Sequence, residues 1–122
     1  MNIAKQIPAF LLAFVFIVFG LNFFLHFMAM PPMSGDAGAF AGLLYTSGYL
    51  TFVKVLEVSI GILLLIKPTR ALALLLIAPI TVNIMLFEVF LAHKPGIGVA
   101  LVLINAIGIF LFKEKYLGII AK

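Results

Sequence analysis

Four long apolar runs follow one another along this chain, and short segments rich in proline, glycine and charge separate them. A transmembrane helix needs about 20 mostly apolar residues, with a lower limit of roughly 17. The runs therefore predict four membrane-spanning helices, at about 8–29, 49–66, 71–92 and 97–112. The first run is longer than the apolar core of a cleavable signal peptide, which favours a retained helix.

The connector between the first two runs has a weaker pattern of its own. Ser34 suits a helix N-cap, and Phe40, Leu43 and Leu44 recur at helical spacing, but four glycines between 35 and 48 oppose a long independent helix. We expect a short interfacial helix at the membrane surface or folded over the bundle mouth. An ordinary loop with some apolar residues fits the same pattern equally well.

Composition supports the membrane interpretation. Hydrophobic residues make up 66% of the chain and charged residues 10%, against roughly 45–50% and about 25% in soluble domains. The predicted fold is all-α: one integral membrane four-helix bundle that occupies residues 1–122 as a single domain. The chain has no cysteine, which excludes disulfides, thiolate metal sites and thiol nucleophiles. The net charge is +4, but the cations form no patch for nucleic acid.

The distribution of cations between the loops predicts the orientation. Outside the apolar runs, one cation, Lys94, lies in a loop on one side of the membrane, and all the others lie on the opposite side. The positive-inside rule places that side in the cytoplasm, so both termini are expected inside. The tetrapeptide at 67–70 is a tight basic turn whose charges should stay in water. We expect a multi-pass protein of a bacterial inner membrane. The cations on the cytoplasmic side are Lys5, Lys67, Arg70, Lys113, Lys115 and Lys122.

Lys54 and Glu57 are the most unusual residues of the second run. A charged side chain at the centre of a bilayer costs about 2.5–3.5 kcal/mol on insertion scales, so such residues usually face a cavity, a partner or a ligand. With the predicted topology, most polar residues of the runs fall in the outer half of the bundle. The candidate ligand-binding residues are Asn22, His26, Lys54, Glu57, Asn83 and Glu88.

These candidates differ in how they can converge. Asn22 and His26 are four residues apart, so they should share one face of the first helix. Asn83 and Glu88 are five apart, about 140° around a helix, so both cannot point at the same spot. Glu57 is the candidate proton exchanger, and Lys54 would tune it.

A structural role is the alternative for each polar group. Asparagines in membrane helices often join helices by hydrogen bonds, and Asn105 is best explained in this way. Lys54 and Glu57 could form a purely architectural ion pair, with Glu88 pairing with His26 near the interface.

No metal site is expected. His26 and the methionines at 28, 30 and 33 could hold Cu(I), but methionine is common at adaptable apolar surfaces. Haem would need a second axial ligand facing His26, and His93 lies in a turn. No nucleotide-binding or hydrolase motif is present in the sequence.

Several motifs resemble the DoxX-type family of small four-helix membrane proteins. They are Phe19-Gly20-Leu21-Asn22, Met30-Pro31-Pro32-Met33, Val55-Leu56-Glu57-Val58 before Gly61, and Ala78-Pro79-Ile80-Thr81-Val82-Asn83-Ile84. The resemblance implies a compact four-helix bundle and an association with respiratory or redox functions. Many family members carry lysine or another polar residue just after the position of Asn22, where this chain has Phe23 and Phe24.

Three functions follow from these observations. The first is a quinone-interacting or redox accessory protein, in which polar groups bind the ring and apolar walls hold the tail. Asn22 and His26 would then contact the ring or a partner. The second is a component of a small-solute or proton-coupled transporter or channel, acting as a homo-oligomer. The third is a membrane assembly factor that recruits a redox partner subunit. The bilayer is the common partner of all three.

Overall fold

All regular structure in the described part of the chain is helical. The computed structural model describes residues 3–29, 32–94 and 96–120, and the predicted all-α class is confirmed there. Met30, Pro31 and Lys122, which were used in the sequence analysis, lie outside the described residues. The α-helices are α1 (Ile3–Leu25), α2 (Gly35–Ser47), α3 (Tyr49–Leu65), α4 (Arg70–Leu86), α5 (Ile97–Leu111) and α6 (Leu117–Ile120). The 3-10 turns Lys67–Thr69 and Lys113–Tyr116 and the π-helical turn Phe87–Leu91 complete the order.

Two of the described helices are long and apolar enough to cross a membrane. They are α1, with 23 residues, and the continuous helix Lys67–Leu91, with 25 residues. Two further pairs pass the same test as bent units: α2 with α3, at 86°, and α5 with the segment after it, at 72°. The number of candidate spans is therefore two, or up to four if each bent pair is one span.

The connector before α3 forms a helix of 13 residues rather than a loop. Gly48 makes the corner between α2 and α3 with a φ of 85°, in the left-handed region that glycine adopts without steric cost. This corner sets α2 across the start of α3, where it contacts α3 and the π-helical turn.

The four long helices pack as neighbours around one centre. α1 packs on α3 and α5, and α4 packs on the same two helices. Glycines allow the closest approach between α1 and α3: a Cβ on Gly20 would lie 2.5 Å from Cγ2 of Val58, and a Cβ on Gly61 would lie 2.7 Å from Cγ1 of Ile17.

The buried apolar core lies towards the end of the molecule where α1 begins, α3 ends and α4 begins. Its members come from the first part of α1, the last part of α3, the first half of α4, and α5 with the turn after it. They are Ala9, Leu12, Ala13, Phe16, Ile60, Leu64, Ala73, Leu74, Ile77, Leu101, Phe112 and Tyr116. The opposite end of the molecule is filled less completely.

The basic turn differs from its prediction at one residue. Lys67 is exposed, as expected, but Arg70 is buried, with 6% of its surface accessible. Its guanidinium donates hydrogen bonds to the carbonyls of Leu64 and Leu65 and to Oε1 of Gln6. The expectation that this charge stays in water is wrong because the planar fork reaches three acceptors at once.

Candidate functional site

An ion pair lies on the inner face of α3. Nζ of Lys54 is 3.2 Å from Oε1 of Glu57, and the two residues are three positions apart on the helix. The Glu57 side chain is 7% exposed and the Lys54 side chain 22%, so the carboxylate is the more deeply buried partner. No other ion pair occurs among the described residues. The attraction between the two charges offsets much of the free energy that is needed to place them on an apolar helix.

This ion pair opens onto a cavity of about 670 Å³. Its lining includes one ammonium, one carboxylate and one amide, which belong to Lys54, Glu57 and Asn83. A volume of this size is typical of sites that hold small organic ligands, which are mostly apolar with a few fixed polar groups. The remaining lining is Met33, Phe40, Ala41, Leu44, Tyr49, Leu50, Val53, Ile80, Ile84, Leu86, Phe87, Phe90 and Leu91.

The cavity lies between α3 and α4, and α2 lies across it. Phe40 of α2 stacks at a tilt on Phe87 of the π-helical turn, with ring centroids 5.9 Å apart. This contact ties α2 to the end of α4 and helps cover the cavity. The π-helical turn itself contributes Phe87, Phe90 and Leu91 to the lining. Such turns recur at functional sites because the extra residue redirects the side chains that follow.

Asn83 offers the third polar group of the cavity. Its Nδ2 donates a hydrogen bond to the carbonyl of Pro79 at 2.8 Å, one turn earlier in α4. This bond orients the amide, so that Oδ1 remains an acceptor. Among the described residues no hydrogen bond to that oxygen occurs.

Asn22 and His26 are not brought to this cavity. Their expected position on one helical face is wrong because α1 ends at Leu25, and His26 has a left-handed φ of 55°. Asn22 is buried, and its Oδ1 accepts a hydrogen bond from the backbone N–H of Met28 at 2.7 Å. His26 is exposed. Asn22 therefore fixes the exit of the chain from α1.

Glu88 also points away from the cavity, whereas Asn83, five residues earlier, lines it. Oε1 of Glu88 accepts hydrogen bonds from the backbone N–H groups of Gly96 and Gly98, at 3.1 and 2.8 Å. In the described residues Glu88 forms no ion pair with His26. Its carboxylate caps the start of α5, where the helix dipole favours a negative charge.

Asn105 joins two helices, as its sequence position suggests. Its Nδ2 donates to the carbonyl of Leu74 at 2.9 Å, and its Oδ1 accepts from the hydroxyl of Thr81 at 3.1 Å. The side chain is 2% exposed. These contacts bind α5 to α4 in the core, and none of the three residues lines the cavity.

Sequence reasoning missed most of the apolar lining of the cavity. For Phe40 and Leu44 the sequence did contain a signal, because the two residues are four apart in the connector and so share one face of a helix. Both residues line the cavity. The π-helical turn had no signal, because its residues continue the apolar run of α4. The burial of Gln6 and Arg70 was also missed. Both residues lie at the edges of apolar runs, where a polar residue can be either buried or exposed.

No group of three or more His, Asp or Glu side chains that could hold a metal ion occurs in residues 3–29, 32–94 and 96–120. Comparison of the chain with protein-family models, with curated proteins and with solved structures finds no match.

Proposed function

We propose that the chain is an integral membrane four-helix bundle of a bacterial inner membrane, with both termini in the cytoplasm and α2 at the outer interface. The spans would be α1, α3, the helix Lys67–Leu91 and α5. Large apolar side chains that point away from the bundle support this, among them Phe14 at 67% and Phe110 at 63% exposure. Such a surface is suited to lipid and would associate in water.

We further propose that the cavity between α3 and α4 binds an isoprenoid quinone, and that the protein serves a respiratory or redox system as an accessory subunit. One observation carries this proposal: a single buried ion pair, Lys54–Glu57, opens onto a cavity of about 670 Å³ whose walls are otherwise almost wholly apolar. A quinone has the matching chemistry, with two ring carbonyls at one end and a hydrocarbon tail at the other.

Each polar group has a role in this proposal. The Lys54 ammonium has three N–H donors, of which one is used by Glu57, so it can donate to a ring carbonyl. Glu57 holds the ammonium in place and can accept or return a proton. Oδ1 of Asn83 can accept a hydrogen bond from a ring hydroxyl of the reduced ligand. The aromatic residues Phe40, Phe87 and Phe90 provide the walls for the ring and tail.

Membership of the DoxX-type family belongs to the same proposal and depends on the short motifs around Asn22, Glu57 and Asn83. Two of these three residues line the cavity. The redox association that the resemblance implies agrees with the quinone binding that we propose for the cavity. Function inferred from family alone is a weak warrant, so the cavity is the primary support.

Calorimetric titration tests the proposal directly. The protein in lipid nanodiscs is titrated with a short-chain ubiquinone analogue, and wild type is compared with Glu57→Gln and with Ala41→Phe, which fills the cavity. We expect each substitution to weaken binding by about tenfold or more, equivalent to about 1.4 kcal/mol. Glu114→Gln and Ala39→Phe are matched controls, because both positions are exposed and outside the cavity lining.

Equal binding by wild type and both cavity variants, or no binding by wild type, would contradict the quinone proposal. Solute uptake by reconstituted vesicles separates the transporter interpretation. If the protein binds no quinone and solute uptake depends on Glu57, the protein is a transporter component and not a redox accessory subunit.

A further inference from the structure

A second cavity, of about 300 Å³, lies at the opposite end of the molecule from the ion pair. It is formed where the start of α1, the turn before α4 and the end of α5 meet. Its lining is Gln6, Lys67, Pro68, Ala71, Phe112 and Lys115. Two cations and one amide thus face a small space, and no carboxylate lines it.

Gln6 leaves a hydrogen-bond donor unsatisfied in this place. The residue is 5% exposed, and its Nε2 is a buried nitrogen with no hydrogen-bond partner in the described part of the chain. Buried polar atoms are rarely left in this state, because the loss of hydration costs about 1–3 kcal/mol. Gln6 lines the cavity, so a small shift of its side chain would let Nε2 donate to an acceptor bound there.

The orientation of this amide is fixed by Arg70. Nη1 of Arg70 donates to Oε1 of Gln6 at 2.6 Å. Arginine has donors only, so the carbonyl oxygen of Gln6 must face it, and a flipped amide would place two donors together. Nε2, with its two N–H groups, is therefore the end left for another partner.

The two lysines make that partner an anion. Lys67 and Lys115 are exposed at the cavity rim, and neither forms an ion pair with a described residue. The Arg70 charge lies directly behind Gln6 and adds to the positive potential. A space of about 300 Å³ exceeds the roughly 30 Å³ share of one liquid water severalfold, which leaves room for a phosphate group with part of its hydration shell.

We propose that this cavity binds a phosphate group, held by N–H donors of Gln6 and by the ammonium groups of Lys67 and Lys115. The group can belong to the headgroup of an anionic phospholipid or to free phosphate. Basic pockets between membrane helices suit anionic headgroups, and each lysine near the surface strengthens such binding. This site is independent of the quinone cavity, since the two share no lining residue.

Native mass spectrometry of the detergent-solubilised full chain tests the site. Retention of phosphatidylglycerol is compared with retention of zwitterionic phosphatidylcholine, and a parallel arm titrates inorganic phosphate. The site variants are Gln6→Glu and the pair Lys67→Gln with Lys115→Gln. Gln6→Glu keeps an oxygen for Arg70 but replaces the donor by a carboxylate. The control pair, Lys5→Gln with Lys113→Gln, removes the same charge from exposed residues outside the cavity lining.

We expect wild type and the control pair to bind alike and both site variants to lose binding by about tenfold or more. Selective loss of phosphatidylglycerol identifies a lipid headgroup, and loss in the phosphate arm identifies a free anion. Thermal melting of Gln6→Glu checks that the variant is folded. Absence of binding in both arms would mean that the cavity holds no phosphate group. Equal loss in the control pair would mean that net positive charge, and not the cavity, retains the anion. Either result would overturn the proposal.

Discussion

The backbone N–H of Gly98 donates a hydrogen bond to Oε1 of Glu88 at 2.8 Å and so joins the π-helical end of α4 to the first turn of α5. Glycine is needed at this contact. A Cβ on Gly98 would lie 2.6 Å from the same oxygen and 2.7 Å from Cα of Met85. The Glu88 carboxylate thus serves as an N-cap for α5 that is supplied from a neighbouring helix. The close approach of α4 and α5 depends on the absence of a Cβ at Gly98.

Removal of this cap should destabilise the start of α5. Glu88→Ala loses both hydrogen bonds, and we expect a loss of about 1–2 kcal/mol in the free energy of unfolding. Glu88→Gln keeps an oxygen acceptor and loses only the charge, so its loss should be smaller, about 0.3–1 kcal/mol. Reversible unfolding in detergent, followed by circular dichroism, measures both. Glu114→Ala is the control, since that carboxylate is exposed; a stability of Glu88→Ala equal to that of the control would refute the capping role.

The two partners of the buried ion pair should differ in their sensitivity to mutation. Lys54→Met leaves the deeper charge, Glu57, without a cation, and we expect a loss of about 2–4 kcal/mol in stability. Glu57→Gln leaves Lys54, whose side chain is 22% exposed and can reach water, so the loss should be about 1–2 kcal/mol.

A double-mutant cycle checks this interpretation. The variant that carries both Lys54→Met and Glu57→Gln removes the two charges together, and it should lie within about 1 kcal/mol of wild type. Additive losses in the double variant would mean that the two side chains do not act as a pair. The same variant should lose quinone binding while it remains folded, which separates architecture from function.

Two asparagines should separate stability from ligand binding. Asn105→Leu loses the buried hydrogen bonds to Leu74 and Thr81, so we expect about 1–2 kcal/mol of destabilisation and no change in ligand affinity. Asn83→Leu removes only a bond within α4 at an exposed residue, so its effect on stability should stay within about 0.5 kcal/mol.

Titration calorimetry and detergent unfolding of the same two variants provide the comparison. Asn83→Leu should weaken binding of the quinone analogue, since Asn83 lines the cavity. The opposite ranking, with Asn83→Leu the less stable and Asn105→Leu the weaker binder, would exchange the roles assigned to the two residues.

Tyr116 should make the stability of the protein depend on pH in the alkaline range. It follows the end of α5, outside the four spans proposed above, and its hydroxyl donates to the carbonyl of Ala71 at 2.7 Å. Burial raises the pKa of Tyr116 above its ordinary value. A raised pKa in the folded state stabilises the protein below the unfolded pKa of about 10, and this contribution is lost as pH rises through the folded pKa.

Tyr116→Phe should therefore cost about 1 kcal/mol at neutral pH, with the difference from wild type narrowing at higher pH. Ultraviolet titration of the phenolates gives a second measurement. The component that titrates above the ordinary tyrosine range in wild type should be missing from Tyr116→Phe. An unchanged titration curve would contradict the assignment.

Local spacing explains what could be predicted of the site. Lys54 and Glu57 are close in space because they are three residues apart on one helix, and this relation holds wherever the helix lies. The prediction for Asn22 and His26 used the same rule and was wrong, because it assumed that α1 continues past Leu25. The end of a helix depends on capping contacts such as the hydrogen bond from the backbone N–H of Met28 to Oδ1 of Asn22. The pattern of apolar residues does not predict such contacts.

Contacts between distant residues could not be predicted in this way. Arg70 was assigned to water with Lys67, yet it lies in the interior, where Gln6, 64 residues away, meets its guanidinium. Glu88 was paired with His26 as an alternative, yet its partners are backbone N–H groups of Gly96 and Gly98. Each outcome depends on which helices become neighbours, and apolar runs of similar composition do not specify that.

By itself the sequence determined the helical class, the apolar runs and the presence of a charged pair on one of them, because these follow from residue type and from helical periodicity. The tertiary structure decided which polar residues share a cavity. Packing at Gly20 and Gly61 and the corner at Gly48 set the directions of α2 and α3. Because α4 packs on α3, Lys54, Glu57 and Asn83 then face one space. The physical reason is that steric fit between helices, rather than hydrophobicity, chooses their partners in an apolar bundle.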